Sequence, residues 1–222
     1  IDLDAVKTRS DADKQLSEYV SELGVRQFLL KNLNRDAKKQ YSWKINLDVL
    51  DKNIKFVPIN ICVLTVSDTR NKTNDRSGDL LCSKILESKH KIYERKIIKD
   101  EILLIKECII SWTKKKDVDV IITTGGTGLT GRDSTPEAIK IISNKIIDGF
   151  GELFRHISYK KIGTSSIQSR AIGAVINNKY VFSLPGSPSA CNDAWEEILK
   201  YQLDIRLKPC NFIEILPRLK EK

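Results

Sequence analysis

The chain has 222 residues, of which 41% are hydrophobic and 30% are charged. This length fits one domain with an appendage, and periodic blocks of Ile, Val and Leu exclude disorder for most of the chain. The apolar runs are far shorter than the ~18 residues that a membrane-spanning helix needs. No secretory signal opens the sequence, so we predict a protein without a membrane partner.

The basic excess amounts to a formal net charge of +9, from 38 Lys and Arg against 29 Asp and Glu. The charges are spread along the chain, and the tight basic runs are residues 114–116 and 160–161. Aromatic residues do not interleave with these runs, so we predict no nucleic-acid partner. A small anionic substrate stays open as the other reading of the basic charge.

Five cysteines and two histidines argue against a zinc site, because the cysteines lack the spacing of metal ligands. We predict that most of these thiols are reduced and buried, in a cytoplasmic protein. Methionine is absent throughout, position 1 included. This absence predicts that the first residue is not a translation start.

Residues 1–52 are predicted to form a short helical N-terminal extension. The pattern favours helices over residues 11–20 and 25–33, separated by Gly24, because glycine weakens a helix. About 50 residues are marginal for folding alone, so this part is expected to dock on another element or to belong to something larger. Ser10 or Asp11 is the expected N-cap, residues 34–41 read as a polar loop, and residues 43–47 as a short strand or docking segment.

Residues 56–222 alternate strand and helix patterns, which predicts a second domain. The apolar, β-branched run at 59–67 is typical of a buried parallel strand. The predicted fold class is α/β: a three-layer α/β/α sandwich with a mainly parallel sheet, plus the N-terminal extension. Further strands are predicted at 93–98, 118–124, 171–176 and 180–184, with a hairpin at Asn177-Asn178, and helices at 78–88, 101–114, 135–144, 149–158 and 189–201.

The glycine-rich segment 123–128 directly follows a buried strand. In a parallel α/β sheet, ligands bind beyond the carboxyl ends of the strands. Gly125, Gly126, Thr127 and Gly128 would let backbone N–H groups approach an anion closely. The spacing matches neither a Walker A loop nor a GxGxxG dinucleotide loop. An ordinary tight turn remains the alternative.

Two carboxylates follow strand ends and suggest metal-assisted chemistry. Asp100 comes after the second strand, and Asp133 lies between the glycine loop and the next helix. Sharing one Mg²⁺ would suit phosphoryl or nucleotidyl transfer. The simpler reading of Asp100 is an N-cap for the helix that follows it. Ser134 or Thr135 is the expected cap of the next helix, and Glu137 in its first turn fits either substrate binding or dipole compensation.

Three further polar segments are expected at the same edge of the sheet. They are residues 67–70, with Ser67 and Asp68; residues 168–170, with Ser169 and Arg170; and residues 183–188, with Pro185, Gly186 and Ser187. Arginine suits a bidentate phosphate contact, and the helix start after residue 187 favours an anion. His90 and His156 are expected to be structural or exposed, and no GxSxG nucleophile elbow occurs.

A set of motifs in order along residues 56–222 resembles the molybdopterin-binding family of molybdenum cofactor biosynthesis, most closely its MoaB (MogA-like) type. The block over 123–138 is specific to this superfamily, and the tail over 203–212 indicates the MoaB type. The motifs are VLTVSDTR (63–70), RSGD (76–79), TTGGTGLTGRDSTPEA (123–138), GFGELFR (149–155), GTSSIQSRA (163–171), SLPGSPSA (183–190) and LDIRLKPCNF (203–212).

The resemblance implies a molybdopterin adenylyltransferase, which moves AMP from Mg-ATP to the molybdopterin phosphate and releases pyrophosphate. It implies catalytic and magnesium-binding roles for Asp100 and Asp133. A homotrimer or a hexamer, and contacts with other proteins of the pathway, are also implied. A non-catalytic molybdopterin carrier is the alternative. The implied substrate-binding residues are Ser67, Asp68, Gly125, Gly126, Thr127, Gly128, Thr135, Glu137, Ser169, Arg170, Pro185, Gly186 and Ser187.

Residues 1–52 show a fainter resemblance to a fragment of the cap region of an α/β-hydrolase. The resembling stretches are DADKQL, GVRQFLLKNL and YSWKINLDVL. Without a nucleophile elbow, no hydrolase activity is expected. Two interpretations therefore stay open: the tail of a longer fused chain, and an unrelated helical extension.

Overall fold

The computed structural model describes residues 1–37, 40–44 and 55–221. The chain divides into two compact units, Ile1–Lys55 and Phe56–Lys222. No helix in the described ranges is both long and apolar enough to cross a bilayer.

The first unit contains two helices and a small hairpin. Its elements are α1 (Arg9–Ser17), α2 (Leu23–Lys31), β1 (Leu33–Arg35) and β2 (Tyr41–Trp43), with β1 antiparallel to β2. Val6, Ala12 and Leu33 form its small buried core, against which Leu3, Leu30, Tyr41 and Trp43 pack.

The structure corrects three details predicted for this unit. Gly24 lies inside α2 and does not separate the helices. Thr8, two residues before the predicted cap, is the N-cap of α1, and its hydroxyl and the Asp11 carboxylate form a reciprocal capping box. The predicted loop 34–41 contains most of β1, whose pairing with β2 overrides its polar composition. Residues 45–47 of the predicted strand lie outside the described residues.

The second unit is built on a six-stranded sheet with the order β4-β3-β5-β8-β7-β6. The strands β4, β3, β5 and β8 are parallel, whereas β7 and β6 are antiparallel to their neighbours. The strands are β3 (Asn60–Val66), β4 (Lys91–Ile98), β5 (Val120–Thr124), β6 (Lys145–Ile147), β7 (Ile172–Ile176) and β8 (Lys179–Leu184). The helices are α3 (Arg76–Glu87), α4 (Ile102–Thr113), α5 (Thr135–Ile142), α6 (Asp148–Ile162), α7 (Pro188–Ala194), α8 (Lys200–Gln202) and α9 (Phe212–Ile215).

Two apolar cores, one on each face of the sheet, confirm the predicted three-layer sandwich. Successive residues of β3 alternate between them: Ile61 and Val63 join one core, whereas Cys62 and Leu64 join the other. Helices α3, α6 and α7 cover the first face, and α4 and α5 cover the second. Burial on both faces explains why β3 reads as a continuous apolar run.

Several features of this unit were not predicted from the sequence, among them the helix α9. The short strand β6 pairs with β7 at the sheet edge, between two predicted helices, where no element was predicted. Helix α6 continues to Ile162 instead of ending at residue 158. The predicted hairpin is confirmed, since Asn177 and Asn178 have φ angles of 49° and 61° between β7 and β8.

Candidate functional site

A cavity of about 530 Å³ lies at the carboxyl ends of the parallel strands β3, β5 and β8. Ten of the residues predicted to form the site line it. They are Ser67, Gly125, Gly126, Thr127, Gly128, Asp133, Ser169, Pro185, Gly186 and Ser187. The strand topology therefore brings together loops that are far apart in the sequence.

The glycine loop has a backbone that side chains would disrupt. Gly125 and Gly126 have φ angles of +97° and +63°, in the region that favours glycine. A Cβ on Gly125 would fall 2.2 Å from the Val66 carbonyl oxygen, and a Cβ on Gly126 would fall 2.4 Å from Asp100 Oδ2. The loop is thus packed against β3 on one side and against a carboxylate on the other.

Gly186 allows the loop after β8 to pack against the glycine loop after β5. A Cβ on Gly186 would lie 3.2 Å from the Cα atom of Gly125. The Gly125 N–H donates to the Leu184 carbonyl at 3.0 Å, and the Thr124 hydroxyl donates to the Pro185 carbonyl at 3.1 Å. Close contact between the loops gives the cavity a floor made mainly of backbone.

Asp133 faces the cavity from the loop before α5. Its Oδ2 atom accepts hydrogen bonds from the N–H and the hydroxyl of Thr130, and a Cβ on Gly128 would lie 2.7 Å from it. The Thr130 hydroxyl, aided by the N–H groups of Thr130 and Gly128, lowers the pKa of Asp133 below its ordinary value. The cavity therefore has an ionised carboxylate in its wall at neutral pH.

Asp100 lies behind the glycine loop, and the residues that line the cavity do not include it. Its side chain is buried, with 9% of the residue exposed. The Oδ1 atom accepts from the N–H of Ser134 at 3.1 Å and from its hydroxyl at 2.7 Å. Burial raises the pKa of Asp100, and the neighbouring Asp133 and Asp68 act in the same direction.

The contacts of Asp100 correct two predictions about helix caps. Glu101, and not Asp100, is the N-cap residue of α4, and it forms no side-chain capping bond. Ser134 is the N-cap residue of α5, but its hydroxyl donates to Asp100 instead of capping its own helix. Asp100 thus satisfies an N–H group at the start of a helix that is 34 residues further along the chain.

Asp68 is not among the residues that line the cavity, and its side chain connects three loops. Its Oδ1 atom accepts from the Asp100 N–H at 3.2 Å, and its Oδ2 atom pairs with Arg132 at 2.6 Å. The Arg132 guanidinium lowers the pKa of Asp68. Asp68 thereby joins the end of β3 to the end of β4 and to the loop that contains Asp133.

Thr135, Glu137 and Arg170 lie outside the lining of the cavity and support its wall. The Thr135 hydroxyl donates to the Gly125 carbonyl at 3.1 Å. Arg170 pairs with Glu137 and donates to the carbonyl oxygens of Asp133, at 2.9 Å, and Thr127, at 3.3 Å. These contacts hold the loop, and a contact of Arg170 with an anion stays a prediction.

The remaining predicted residues of the site shape the turns around the cavity. The Ser67 hydroxyl accepts from the N–H groups of Thr69 and Arg70, both at 3.2 Å. Ser187 is the N-cap of α7, and its hydroxyl accepts from the Ala190 N–H at 3.2 Å. The Ser169 carbonyl accepts from Arg155 at 3.4 Å.

Arg70 is the main residue of the site to which the sequence assigned no role. Its guanidinium donates to the Ser77 hydroxyl and to the Gly186 carbonyl, and lies 3.8 Å from the carboxylate of the buried Asp75. Within the described part of the chain, Arg70 is the one cationic side chain in the cavity wall. A fixed guanidinium in a cavity is suited to binding a phosphate group.

Helix α6 supplies an unpredicted apolar wall. Phe154, Ser158 and Ile162 are spaced four residues apart, so they lie on one face of the helix and line the cavity. This spacing could have been read from the sequence, but the prediction ended the helix at residue 158. The apolar side chains of Phe154 and Ile162 in the lining suit contact with a flat heterocyclic ligand.

The capacity of the site to hold Mg²⁺ depends on its carboxylates. In the described ranges, no group of three or more His, Cys, Asp or Glu could hold a metal ion. Mg²⁺ commonly takes one or two carboxylates and completes its shell with water and substrate phosphates. Asp133 meets that requirement, because it is ionised and faces the cavity. The magnesium role of Asp100 remains a prediction.

Comparison with known proteins gives consistent matches to the second unit. A family model described as a probable molybdopterin-binding domain matches residues 62–205. Molybdenum cofactor biosynthesis protein B of Escherichia coli K12 is 42% identical over 158 residues, which cover 71% of this chain and 93% of that protein.

Solved structures show the same likeness. A crystal structure of a molybdenum cofactor biosynthesis protein B is 39% identical, with a TM-score of 0.67, and covers 75% of this chain and 98% of that one. The tungsten cofactor synthesizing protein MoaB from Pyrococcus furiosus is 31% identical, with a TM-score of 0.61, and covers 74% and 98% of the two chains. Residues 1–52 precede the family match, and their hydrolase-like resemblance stays a prediction.

Proposed function

Because this chain belongs to the molybdopterin-binding family of molybdenum cofactor biosynthesis, and within it to the MoaB type, we propose that it transfers the adenylyl group of ATP to molybdopterin. An oxygen of the molybdopterin phosphate would attack the α-phosphorus of ATP. The bond from that phosphorus to the oxygen bridging to the β-phosphate would break, and pyrophosphate would leave with the electron pair. The products are adenylylated molybdopterin and pyrophosphate.

The observation that carries this proposal is the ionised Asp133 in a cavity whose floor is largely backbone. Adenylyl transfer needs little covalent chemistry from the protein, and depends on positioning and on stabilising charge. Asp133 would hold the magnesium, an ion that would supply positive charge to neutralise the phosphates. The N–H groups of the glycine loop and the Arg70 guanidinium would contact the phosphates.

The walls of the cavity also fit the two ends of molybdopterin. The apolar face of α6, with Phe154 and Ile162, would contact the pterin ring, while Arg70 would contact its phosphate. Arg70 is held by Ser77 and Gly186, so its side chain needs little further ordering on binding. Asp100 would act as a positioning residue, since it holds the start of α5 through Ser134.

Product analysis tests the proposal against the carrier alternative. Purified protein is incubated with ATP, magnesium and molybdopterin, and the pterin products are measured by mass spectrometry. We expect adenylylated molybdopterin to form in proportion to time and to enzyme, and to be absent when ATP is omitted. Tight molybdopterin binding without this product would contradict adenylyl transfer and make the protein a carrier.

We further infer a homotrimer or hexamer that works in the cytoplasm with other proteins of the pathway. Large exposed apolar side chains support self-association: Leu103 and Leu129 are each 68% exposed and Ile141 is 60% exposed. Analytical ultracentrifugation tests the assembly. Sedimentation as a monomer at micromolar concentration would contradict it.

A further inference from the structure

The segment RSGD (76–79) begins helix α3 and does not line the cavity. Asp75, the residue directly before it, is the N-cap of α3 and is fully buried. A buried carboxylate is costly unless cations and hydrogen bonds compensate its charge. The partners of Asp75 therefore show what this segment is built to do.

Most acceptor positions of the Asp75 carboxylate are filled. Its Oδ2 atom accepts from the Thr65 hydroxyl and from the Arg95 guanidinium, both at 2.7 Å. Its Oδ1 atom accepts from the Gly78 N–H at 3.1 Å. Burial acts to raise the pKa of Asp75, but these hydrogen bonds outweigh burial and lower the pKa below its ordinary value. Asp75 is therefore ionised at neutral pH.

Gly78 makes room for this ion pair. A Cβ on Gly78 would fall 2.1 Å from Asp75 Oδ2 and 2.8 Å from Arg95 Nη2. Without a side chain at this position, the carboxylate and the guanidinium can both lie against the first turn of α3. The glycine of the RSGD segment is thus explained by the carboxylate that precedes it.

Arg70 lies beside the other oxygen of the same carboxylate. Its Nη1 atom is 3.8 Å from Asp75 Oδ1, which is an ion pair but too long for a hydrogen bond. The hydrogen bonds that hold Arg70 go to the Ser77 hydroxyl and the Gly186 carbonyl, and they involve two of its five N–H donors. Asp75 therefore attracts Arg70 without using the donors that a phosphate would need.

Arg95 keeps Asp75 from cancelling the charge of Arg70. A carboxylate that faced Arg70 alone would offset its positive charge and weaken its attraction for an anion. Arg95 contacts the carboxylate directly, whereas Arg70 does not, so the charge of Asp75 is compensated mainly by Arg95. Arg95 also pairs with Asp79 at 2.6 Å, but that side chain is 58% exposed and solvent screens its charge.

We propose that Asp75 is a positioning residue, which holds the Arg70 guanidinium in the cavity wall for the phosphate of the substrate, with Arg95 as its counter-ion. This inference rests on the proposed contact between Arg70 and the molybdopterin phosphate. Asp75 does not touch the ligand in this arrangement. Its effect on binding should therefore pass entirely through Arg70.

A double-mutant cycle on ligand binding tests this path. Fluorescence titration without ATP gives the Kd of molybdopterin and of its dephosphorylated form. The proteins compared are the wild type, Asp75→Asn, Arg70→Ala and the double variant. Asp79→Asn is the matched control, because it makes the same substitution in the second carboxylate partner of Arg95, one that the structure does not pair with Arg70.

We expect Asp75→Asn to raise the Kd of molybdopterin about tenfold, and that of the dephosphorylated form less than about twofold, because only the first has a phosphate for Arg70. In the Arg70→Ala background, Asp75→Asn should change either Kd less than about twofold, and so should Asp79→Asn in the wild type. An equal effect with and without Arg70 would overturn the positioning role. Tighter binding by Asp75→Asn would overturn it too, since the carboxylate would then compete with the phosphate.

Thr65→Val is a second variant, which keeps the buried charge in place. It removes one hydrogen bond that orients the Asp75 carboxylate, and valine has nearly the shape of threonine. We expect a rise of about threefold in the Kd of molybdopterin, again absent for the dephosphorylated form and in the Arg70→Ala background. Urea unfolding establishes which variants are folded. Should Asp75→Asn not fold, an unchanged Kd in Thr65→Val would overturn the positioning role.

Product analysis separates this inference from the proposed function. A phosphate-selective rise in Kd that depends on Arg70, without adenylylated product from the wild type, would support the positioning role and contradict adenylyl transfer. Adenylylated product from the wild type, with an unchanged Kd in Asp75→Asn, would support adenylyl transfer and overturn the positioning role.

Discussion

The glycine loop at residues 125–128 has two sides, and the carboxylates on them have different surroundings. On the cavity side, Asp133 is hydrogen-bonded to Thr130, its pKa is lowered, and it lines the cavity. On the buried side, the Asp100 carboxylate accepts a hydrogen bond from the Ser134 N–H, and burial raises the pKa of Asp100. Two aspartates that look equivalent in the sequence are therefore expected to act differently, Asp133 on the substrates and Asp100 on the loop.

Removing the cavity-side carboxylate should have the largest effect. We expect Asp133→Ala to lower the rate of adenylyl transfer by about 10²–10³-fold, because a charged group near the transferred phosphate is lost. Molybdopterin binding should change little, because the backbone floor and the α6 wall remain. Fluorescence titration of molybdopterin measures whether binding is retained while the rate of transfer falls. A parallel loss of binding in a folded variant would show that Asp133 holds the pterin.

A side chain on the glycine loop should disturb the contacts of the buried carboxylate. Gly126→Ala would place a Cβ 2.4 Å from Asp100 Oδ2 at a φ of +63°, so we expect a loss of stability of at least ~1–3 kcal/mol and a large loss of activity. Gly131→Ala is the control, since a Cβ there meets no atom within 4 Å. It should stay within about 0.5 kcal/mol of the wild type. Urea unfolding measures the free energy of unfolding of both variants. Equal values would contradict the close packing of Gly126 described for the loop.

Removing the buried carboxylate should affect stability and binding together. Asp100→Ala leaves the N–H and hydroxyl of Ser134 without their acceptor, which costs about 1–3 kcal/mol. Because the loop loses its support, the Kd of molybdopterin should rise along with the loss of turnover. Asp100→Asn keeps an acceptor oxygen, so the stability should be recovered. An Asp100→Ala protein that is as stable as the wild type would contradict the positioning role.

The opposite pKa shifts predict stability changes of opposite sign. The pKa of Asp100 is higher in the folded than in the unfolded state. Asp100 therefore stabilises the fold at a pH below its pKa in the unfolded state, and this stabilisation is lost as the pH rises through its pKa in the folded state. The pKa of Asp133 is lower in the folded than in the unfolded state. Asp133 therefore stabilises the fold at a pH above its pKa in the unfolded state, and this stabilisation is lost as the pH falls through its pKa in the folded state.

At pH 7, Asp100→Asn should therefore be more stable than the wild type, and Asp133→Asn less stable. Both differences should shrink as the pH falls through the range in which each carboxylate takes up a proton. Urea titrations in EDTA, which keeps divalent cations away from Asp133, measure them. The same sign for both variants at pH 7 would refute the contrast between the two sides of the loop.

The features that the sequence predicted correctly depend on local patterns. The apolar run of β3 and the glycines after β5 are patterns of neighbouring residues. They were sufficient to predict that the glycine loop lies at the edge of the sheet. The details that sequence reasoning missed depend on distant partners. Arg70 is held by a carbonyl 116 residues away, and Asp100 by a serine 34 residues away. Strand β6 is three residues long and forms through pairing with β7, which no local period reveals.

We propose that the cavity-side carboxylate of Asp133 acts in adenylyl transfer, and the rate of pyrophosphate release tests this role most directly. The rate is measured with ATP and magnesium, with and without molybdopterin, for the wild type and for Asp133→Asn. We expect pyrophosphate release that requires molybdopterin in the wild type and that falls by about 10²-fold or more in the variant. Release that is independent of molybdopterin, or an undiminished rate in Asp133→Asn, would contradict it.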